Sequence, residues 1–267
     1  MAAASLQEDG TQRNGAPARL ALVTGSLHRI GAAIAAQLAQ DGYALALHCR
    51  SDGAADAELT ASLTAQSIEY AIFRADLSKA GAADQLFDAV NAHFGRAPTL
   101  IVNNAALFED GGIDTLDEAA MTRALAVNLV APSLLTQRLV ASSKQTGQSG
   151  AVVNILDQRV LNPVPDQLAY SIAKQALWQA TRTLARASAP HVRVNAVAPG
   201  LTLPAPDYED GRMERMAALM PLATLARPED IAEAVAYLSH ARAVTGQTIF
   251  VDAGASLTGY DRDFAFL

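Results

Sequence analysis

The sequence of 267 residues contains a single cysteine, Cys49. One cysteine excludes an intramolecular disulfide and fits a reducing compartment, which predicts a cytoplasmic protein. The chain also lacks any run of eighteen apolar residues, so no transmembrane span is expected. Residues 1–18 mix Ala, Gly, Gln and charged residues without an apolar stretch, which predicts a disordered tail and no signal peptide.

The chain has fewer basic than acidic residues, 20 Lys and Arg against 27 Asp and Glu. The formal net charge is −7 and the basic residues are scattered, which argues against nucleic acid and anionic membranes as partners. The five histidines lie in no metal-ligand spacing, so no metal site is predicted. Ser26 and Ser171 have no paired His and Asp arrangement, which argues against acyl transfer.

Short apolar runs alternate with helical patterns from Arg19 to Leu257 without a break in composition. This alternation predicts one α/β domain over residues 19–267, a doubly wound sheet of seven mostly parallel strands with helices on both faces. The predicted strands are Leu20–Val23, Ala44–His48, Tyr70–Arg74, Thr99–Val102, Ala151–Ile155, Val192–Val197 and Thr248–Val251. The predicted helices are Ala32–Gln40, Ala54–Ala65, Ala80–Phe94, Leu116–Ser143, Gln167–Ala187 and Pro228–Leu238.

A glycine-containing turn joins the first strand to the first helix, and it reads Thr24-Gly25-Ser26-Leu27-His28-Arg29-Ile30-Gly31. Strand, glycine turn and helix form a dinucleotide-phosphate arrangement. The glycines let the backbone approach the pyrophosphate, and the helix N-terminus offers free N–H groups. Two glycines six residues apart, with Arg29 where many such loops place another glycine, are a weak signal when taken alone.

The end of the second strand predicts which dinucleotide is bound. An acidic residue there would bind the ribose 2′-hydroxyl of NAD, whereas NADP needs a cation for its 2′-phosphate. The strand ends in His48, Cys49, Arg50 and Ser51. The Arg50 guanidinium suits a phosphate and Ser51 adds a hydroxyl, so NADPH is predicted; Asp52 comes late and is interpreted as a turn residue.

Tyr170 and Lys174 are four residues apart on a predicted helix and therefore share one face. An ammonium beside a phenol stabilises the phenolate, and a pKa lowered by roughly three units corresponds to about 4 kcal/mol. Asp157 stands thirteen residues before the tyrosine. The alternative for an isolated pair of this kind is a surface tyrosine and lysine, so the rest of the chain must decide.

Further motifs occur in a characteristic order: Asn103-Asn104-Ala105-Ala106 after the fourth strand, Asn128 within a long helix, and Pro199-Gly200 after the sixth strand. With Tyr170 and Lys174, the chain resembles the short-chain dehydrogenase/reductase family from Arg19 to Leu257. The resemblance implies a Rossmann-type fold, a homotetramer and a helix irregularity at Asn128 that holds a water near Lys174. It also implies cofactor contacts from Gly25, Arg29, Ile30, Gly31, His48, Arg50, Ser51, Asp76, Leu77, Asn104, Ala105, Lys174, Pro199 and Gly200.

Three departures from the family pattern resemble its pteridine reductase branch. Asp157 replaces the usual serine, Arg29 replaces a glycine, and Phe108 follows the Asn-Asn-Ala motif. The resemblance implies that Phe108 stacks on a pterin and that Arg29 lies near both cofactor phosphate and substrate. The alternatives are a loop-anchoring Phe108, an Arg29 that serves only the phosphates, and an Asp157 that marks a degenerate enzyme.

The predicted activity is NADPH-dependent reduction of a pterin or dihydropterin, with Asp157, Tyr170, Lys174 and Asn128 as catalytic residues. The N–H groups of a pterin edge match a carboxylate, whereas a ketone oxygen would be repelled by Asp157. The predicted substrate contacts are Arg29, Phe108, Asp157 and Tyr170. Two alternatives are a general carbonyl or 3-oxoacyl reductase and an NADP-sensing protein without turnover.

Two segments in the last quarter of the chain, residues 201–221 and 259–267, are predicted to lie near the substrate or a subunit interface. Residues 201–221 contain Pro204, Pro206 and Asp207 and follow the sixth strand, at the edge where α/β sites are built. They predict a substrate lid, with an ordinary crossover helix as the alternative. Residues 259–267 end in aromatic residues, and they are predicted to pack at a subunit interface of the homotetramer and to close a neighbour's pocket, with Arg262 as a contact.

Overall fold

The computed structural model describes residues 19–51, 55–204 and 209–264. All seven predicted strands are present in one sheet, in the order β3-β2-β1-β4-β5-β6-β7, and every neighbouring pair is parallel. The strands are β1 Leu20–Val23, β2 Ala44–Cys49, β3 Tyr70–Arg74, β4 Leu100–Asn103, β5 Gly150–Ile155, β6 Val192–Pro199 and β7 Thr248–Val251.

Helices cover both faces of this sheet, so the doubly wound α/β architecture predicted from the sequence is confirmed. The described helices are α1 Arg29–Gln40, α2 Ala57–Ala65, α3 Ala82–Phe94, α4 Glu118–Leu125, α5 Ala131–Thr146, α6 Leu168–Ser188, α7 Arg212–Leu219 and α8 Pro228–His240. Successive side chains of a strand point to opposite faces. Ala21 and Val23 therefore pack with Ile34 of α1, while Leu20 and Leu22 pack in the cluster under α3 and α5.

The long helix predicted from Leu116 to Ser143 consists of α4, a π turn over Ala126–Val130, and α5. Together these pieces span Glu118–Thr146, the one helix in the described ranges that is long and apolar enough to cross a membrane. Leu135 and Leu139 of this helix are buried in the core between the sheet and its neighbours. Its apolar composition is therefore that of a core helix in this fold.

The sheet has a crevice at the carboxyl ends of β1 and β4, which are adjacent although far apart in sequence. Val23 pairs with Val102, so the turn after β1 and the Asn103-Asn104 segment after β4 meet at this point. Strand order reverses here, and α/β proteins bind ligands in such a crevice.

Parts of the predicted segments lie outside the described residues: the tail 1–18, Asp52, Pro206 and Asp207, and the last residues 265–267. The segment after β6 contains α7, whose Met216 packs with Met220 and with Phe264 near the C-terminus. The sequence analysis gave a helix over these residues only as the alternative to a substrate lid. Whether they close over a substrate stays a prediction.

Candidate active site

The glycines of the turn after β1 are required by close packing. A Cβ on Gly31 would lie 2.1 Å from the carbonyl oxygen of Gly25, and one on Gly25 would lie 3.0 Å from Ala105 Cα. Gly25 also has a φ of +63°, which L side chains rarely adopt. The Asn104 amide donates to the carbonyl oxygens of Thr24 and Gly25 at 3.0 and 2.8 Å. The loop is thus held against the β4 end, in the shape that a dinucleotide phosphate requires.

Arg29 occupies the position where related loops place a glycine, and its backbone is strained there. Its φ is +55°, a left-handed conformation that is strained for a side chain with a Cβ. The exposed guanidinium donates to the carbonyl oxygen of Pro204 at 3.3 Å, which ties the loop to the segment after β6. Ile30 packs against the core. Gly200, after Pro199, is needed because a Cβ would lie 2.8 Å from Asp252 Cα.

His48 is a neutral side chain that supports the glycine turn. The backbone N–H of Gly25 donates to Nδ1 at 3.2 Å, so Nε2 carries the proton that is shared with the carbonyl oxygen of Ala75 at 2.9 Å. Burial lowers the pKa of His48, although the Ala75 bond opposes that shift. The expected cofactor contact at His48 is therefore that of a neutral imidazole and not of a cation.

A groove of about 630 Å³ extends from these residues along the crevice. Arg50 and Lys79 place two cations in its lining, next to Asp76 and Leu77. Hydrogen bonds from Ser78 lower the pKa of Asp76, and the charges of Lys79 and Arg50 act in the same direction. Sequence reasoning missed Lys79, although its position directly after the Asp76-Leu77-Ser78 segment was a usable signal. Ser51 is exposed beside Arg50.

Next to Phe108, which lines this groove, the Tyr170 hydroxyl donates to Asp157 Oδ2 at 3.0 Å. Arg159 binds the same carboxylate through two parallel hydrogen bonds: its Nε lies 3.1 Å from Oδ1 and its Nη2 lies 3.1 Å from Oδ2. Burial opposes ionisation of Asp157, but the charge and hydrogen bonds of Arg159 outweigh burial and keep its pKa below the usual range. Arg159 was not identified from the sequence.

This ion pair corrects one sequence-based argument. Asp157 was expected to repel a ketone oxygen because of its negative charge. The guanidinium of Arg159, whose side chain is only 6% exposed, offsets part of that charge at contact distance, although it is shared with Asp263. Repulsion by a bare carboxylate therefore does not decide between a pterin and a ketone.

Tyr170 and Lys174 share one face of α6 as predicted, but the predicted lowering of the Tyr170 pKa is wrong. The pKa of Tyr170 is raised well above its usual value, because burial and then the negative charge of Asp157 disfavour the phenolate. Lys174 Nζ donates to the carbonyl oxygen of Ile155 at 2.7 Å, and burial lowers the pKa of Lys174 to about 8. Tyr170 is thus a neutral phenol at neutral pH, suited to donate a proton.

Phe108 forms an exposed aromatic wall next to this donor. Its ring centroid is 4.8 Å from that of Tyr170 in a T-shaped arrangement, and 53% of the residue is exposed. The Arg159 guanidinium lies 5.5 Å from the Phe108 centroid and 5.3 Å from the Tyr170 centroid. A flat substrate has an available aromatic face here; stacking on Phe108 stays a prediction.

The predicted helix irregularity is present as the π turn, with the buried Asn128 within it. The Asn128 side chain accepts from the Leu107 backbone N–H at 3.1 Å and donates to the Leu107 carbonyl oxygen at 2.9 Å. Asn128 thereby fixes the residue before Phe108. The helix irregularity at Asn128 was also predicted to hold a water molecule near Lys174, and that role stays a prediction.

The C-terminal segment contacts residues around Arg159 in its own chain; its predicted packing at a subunit interface, where it would close a neighbour's pocket, stays a prediction. The Arg262 guanidinium binds Asp166 with Nη2 2.8 Å from Oδ1. Asp263 Oδ2 accepts from Arg159 Nη1 at 2.7 Å. The group around Arg159 therefore includes a residue 104 positions away from it in the sequence.

Fold and site together define an oxidoreductase of the Rossmann type. A family model described as enoyl-(acyl carrier protein) reductase matches residues 25–256, and the chain belongs to the short-chain dehydrogenase/reductase family. It is 32% identical over 249 residues to the (3R)-3-hydroxyacyl-CoA dehydrogenase of Mus musculus. The match covers 88% of this chain and 95% of that protein.

Two solved structures are similar over nearly the whole chain. They are FolM alternative dihydrofolate reductase 1 from Brucella suis and from Brucella canis, each in complex with NADP. Both have a TM-score of 0.84 and 35% identity, and the match covers 91% and 92% of this chain and 96% of each of those chains. Among residues 19–51, 55–204 and 209–264, no group of three or more His, Cys, Asp or Glu side chains is arranged to hold a metal ion.

Proposed function

We propose that this NADPH-dependent oxidoreductase reduces the ring of a pterin or dihydropterin. The observation that carries the proposal is the buried Tyr170–Asp157–Arg159 group beside the exposed ring of Phe108. The similarity to two FolM alternative dihydrofolate reductases supports it. The family pattern has a serine at the position that Asp157 occupies in this chain.

Bound NADPH supplies a hydride. The Arg50 and Lys79 side chains would hold its 2′-phosphate. Backbone N–H groups at the N-terminal end of α1 would hold its pyrophosphate. The two glycines whose Cβ positions are filled by neighbouring backbone fit such a ligand. Lys174, with its Nζ on the carbonyl oxygen of Ile155, would orient the nicotinamide ribose.

Tyr170 would deliver the proton that accompanies reduction. Its hydroxyl proton is hydrogen-bonded to Asp157, so the phenol is oriented before substrate binds. Loss of the proton would leave a phenolate within the field of Arg159, whose positive charge favours it. Asp157, as an acceptor, would also hold an N–H group at the edge of a pterin.

A general carbonyl or 3-oxoacyl reductase is the second candidate, and one observation favours it. Arg159 offsets part of the charge of Asp157, so a ketone oxygen is repelled less strongly than by a bare carboxylate, and a neutral Tyr170 is a suitable donor to it. The similarity to the mouse 3-hydroxyacyl-CoA dehydrogenase supports this alternative. An NADP-sensing protein without turnover is the third.

The experiment is an NADPH oxidation assay with dihydrobiopterin, dihydrofolate, a 3-oxoacyl thioester and a simple ketone. Reduction of a dihydropterin with kcat/KM at least tenfold above that of both carbonyl substrates supports the proposal. The reverse order overturns it in favour of the carbonyl reductase. Tight NADPH binding without turnover of any of the four supports the sensing protein. Tyr170→Phe is the matched control, because it keeps the ring and removes the proton donor.

We also propose that the chain assembles into a homotetramer in the cytoplasm. Exposed apolar side chains of Val130, Leu134 and Ile172 on the long helices support self-association, since closed symmetric assemblies are the common form of homo-oligomers. Light scattering that gives the mass of a monomer would contradict this.

A further inference from the structure

Arg159 is a buried hub in this site. Besides its two bonds to Asp157, its Nη1 donates to the side-chain oxygen of Gln167 at 3.0 Å and to Asp263 Oδ2 at 2.7 Å. Its guanidinium also lies over the ring of Tyr170. A guanidinium is planar and presents its donors in a fixed fork, so partners on one edge determine where the opposite edge points.

The partner on the outer edge comes from the last described residues of the chain. Asp263 is anchored twice: by its carboxylate on Arg159, and by its backbone N–H, which donates to Asp166 Oδ2 at 2.8 Å. Its carboxylate is largely buried, with a side chain 11% exposed. Arg262, its neighbour, binds Asp166 from outside and is 50% exposed.

Gln167, which shares the Nη1 nitrogen of Arg159 with Asp263, has a constrained backbone. It precedes α6, the helix of Tyr170, and its φ is +45°, a strained conformation for a residue with a Cβ. Its amide bridges Arg159 to Asp110. Strain of this kind persists only where surrounding contacts hold it, so Arg159 is one of the contacts that fix the start of α6.

We propose that Asp263 is a positioning residue: through Arg159, it fixes the carboxylate of Asp157 on the hydroxyl of Tyr170, so that the C-terminal segment completes the proton-donating group of its own chain. This inference rests on the proposed reductase function but not on the identity of the substrate. Asp263 is one of two carboxylates on the guanidinium: it binds Nη1, whereas Asp157 binds Nε and Nη2.

The charges around the hub explain why one carboxylate is insufficient. Arg159 faces Asp157 and Asp263, with Asp166 nearby and the Lys174 ammonium 5.7 Å from the centroid of the Tyr170 ring. Without Asp263, one N–H of the buried Nη1 loses its carboxylate and only the bond to Gln167 remains, so Arg159 gains by turning toward Asp166 or solvent. Such a turn lengthens its bonds to Asp157 and misaligns the donor.

The test compares Asp263→Asn with Asp261→Asn and Asp263→Glu in the full chain. Asp261→Asn is the matched control, because it makes the same chemical change two residues away, at an exposed side chain of the same segment. Asp263→Asn is expected to lower kcat at least tenfold while the Kd for NADPH stays within twofold. Asp261→Asn is expected to keep kcat within threefold, and Asp263→Glu to recover part of the loss.

Equal losses of kcat in Asp263→Asn and Asp261→Asn would overturn the proposal, because the segment would then serve only as a cover. So would an unchanged kcat in Asp263→Asn. Kinetics are run on whichever substrate the wild type turns over, so failure of the pterin assay does not decide this test. Hydrogen exchange of residues 157–161 gives a reading without substrate: it should accelerate in Asp263→Asn and stay unchanged in Asp261→Asn, and the absence of this difference also overturns the proposal.

Discussion

The hydroxyl of Tyr170 donates to the carboxylate of Asp157 over 3.0 Å, and the two groups have pKa values that are pushed apart. Arg159 keeps the pKa of Asp157 low, while burial and Asp157 raise the pKa of Tyr170. Two neighbouring groups with separated pKa values define an acid and its partner. Tyr170 is the group that holds a proton at neutral pH, and Asp157 is the group that orients it.

Replacing Asp157 should move the alkaline limit of activity. The charge of Asp157 is one cause of the raised Tyr170 pKa, so Asp157→Asn lowers that pKa. If the phenol donates the proton, activity is lost as pH rises through the Tyr170 pKa, and the loss should come at lower pH in the variant. The measurement is the pH profile of kcat/KM from pH 6 to pH 10.5.

Asp157→Ser, which restores the residue common in the family, should cut pterin turnover severely and increase turnover of ketones. An alkaline limit that is the same in Asp157→Asn and in the wild type would contradict the electrostatic coupling. Undiminished pterin reduction by Asp157→Ser would contradict the pterin-binding role of the carboxylate.

Cofactor preference should depend on the two cations in the groove. Arg50 and Lys79 both line it, so NADPH is expected to bind at least tenfold more tightly than NADH, a difference of only ~1.4 kcal/mol. Arg50→Asp should invert the preference and Lys79→Ala should weaken it. Fluorescence titration with both cofactors measures this, and equal affinities in the wild type would be the contrary result.

Much of the fold and part of the site follow from local sequence. Strand and helix patterns place the crevice, and the spacing of Tyr170 and Lys174 places them on one face of a helix. Arg159 escaped prediction because its role depends on Asp263, 104 residues away. The direction of the Tyr170 pKa shift also depends on tertiary structure, since burial and the neighbouring carboxylate determine it and neither can be deduced from helix spacing.

Lys174 should reduce the stability of the folded protein at neutral pH. Burial lowers its pKa from 10.5 to about 8, so the charged form is disfavoured in the folded state. Between about pH 8 and pH 10.5 the unfolded state binds more protons, and wild-type stability should rise with pH there. Lys174→Met should add roughly 2–3 kcal/mol at pH 7, remove that rise and abolish turnover.

Denaturant unfolding at pH 7 and pH 10.5 measures both effects. The exposed Lys144 provides the control, because Lys144→Met should change the free energy of unfolding by less than about 0.5 kcal/mol at either pH. A Lys174→Met variant that is less stable than the wild type at pH 7 would show that its bond to the Ile155 carbonyl outweighs the cost of burial.

Arg29 should be retained for function at the expense of stability. Its φ of +55° favours glycine, so Arg29→Gly should stabilise the fold by about 1 kcal/mol while weakening binding of NADPH. Arg29→Ala keeps the strained conformation and removes the guanidinium, so it should weaken NADPH binding without the gain. Thermal unfolding and NADPH titration of the two variants separate these effects, and equal stabilities would contradict the strain argument.

The exposed ring of Phe108 provides the most direct test of a flat substrate. Phe108→Ala should weaken binding of a dihydropterin by roughly 0.5–1.5 kcal/mol beyond the lost apolar area, with the affinity for NADPH nearly unchanged. Phe108→Leu is the matched control, since it keeps apolar volume but offers no aromatic face. Dissociation constants for the dihydropterin in the presence of NADP measure the effect. If Phe108→Leu binds the dihydropterin as tightly as the wild type, the ring serves only to pack against Tyr170, and a carbonyl substrate that needs no stacking partner becomes the better interpretation of the site.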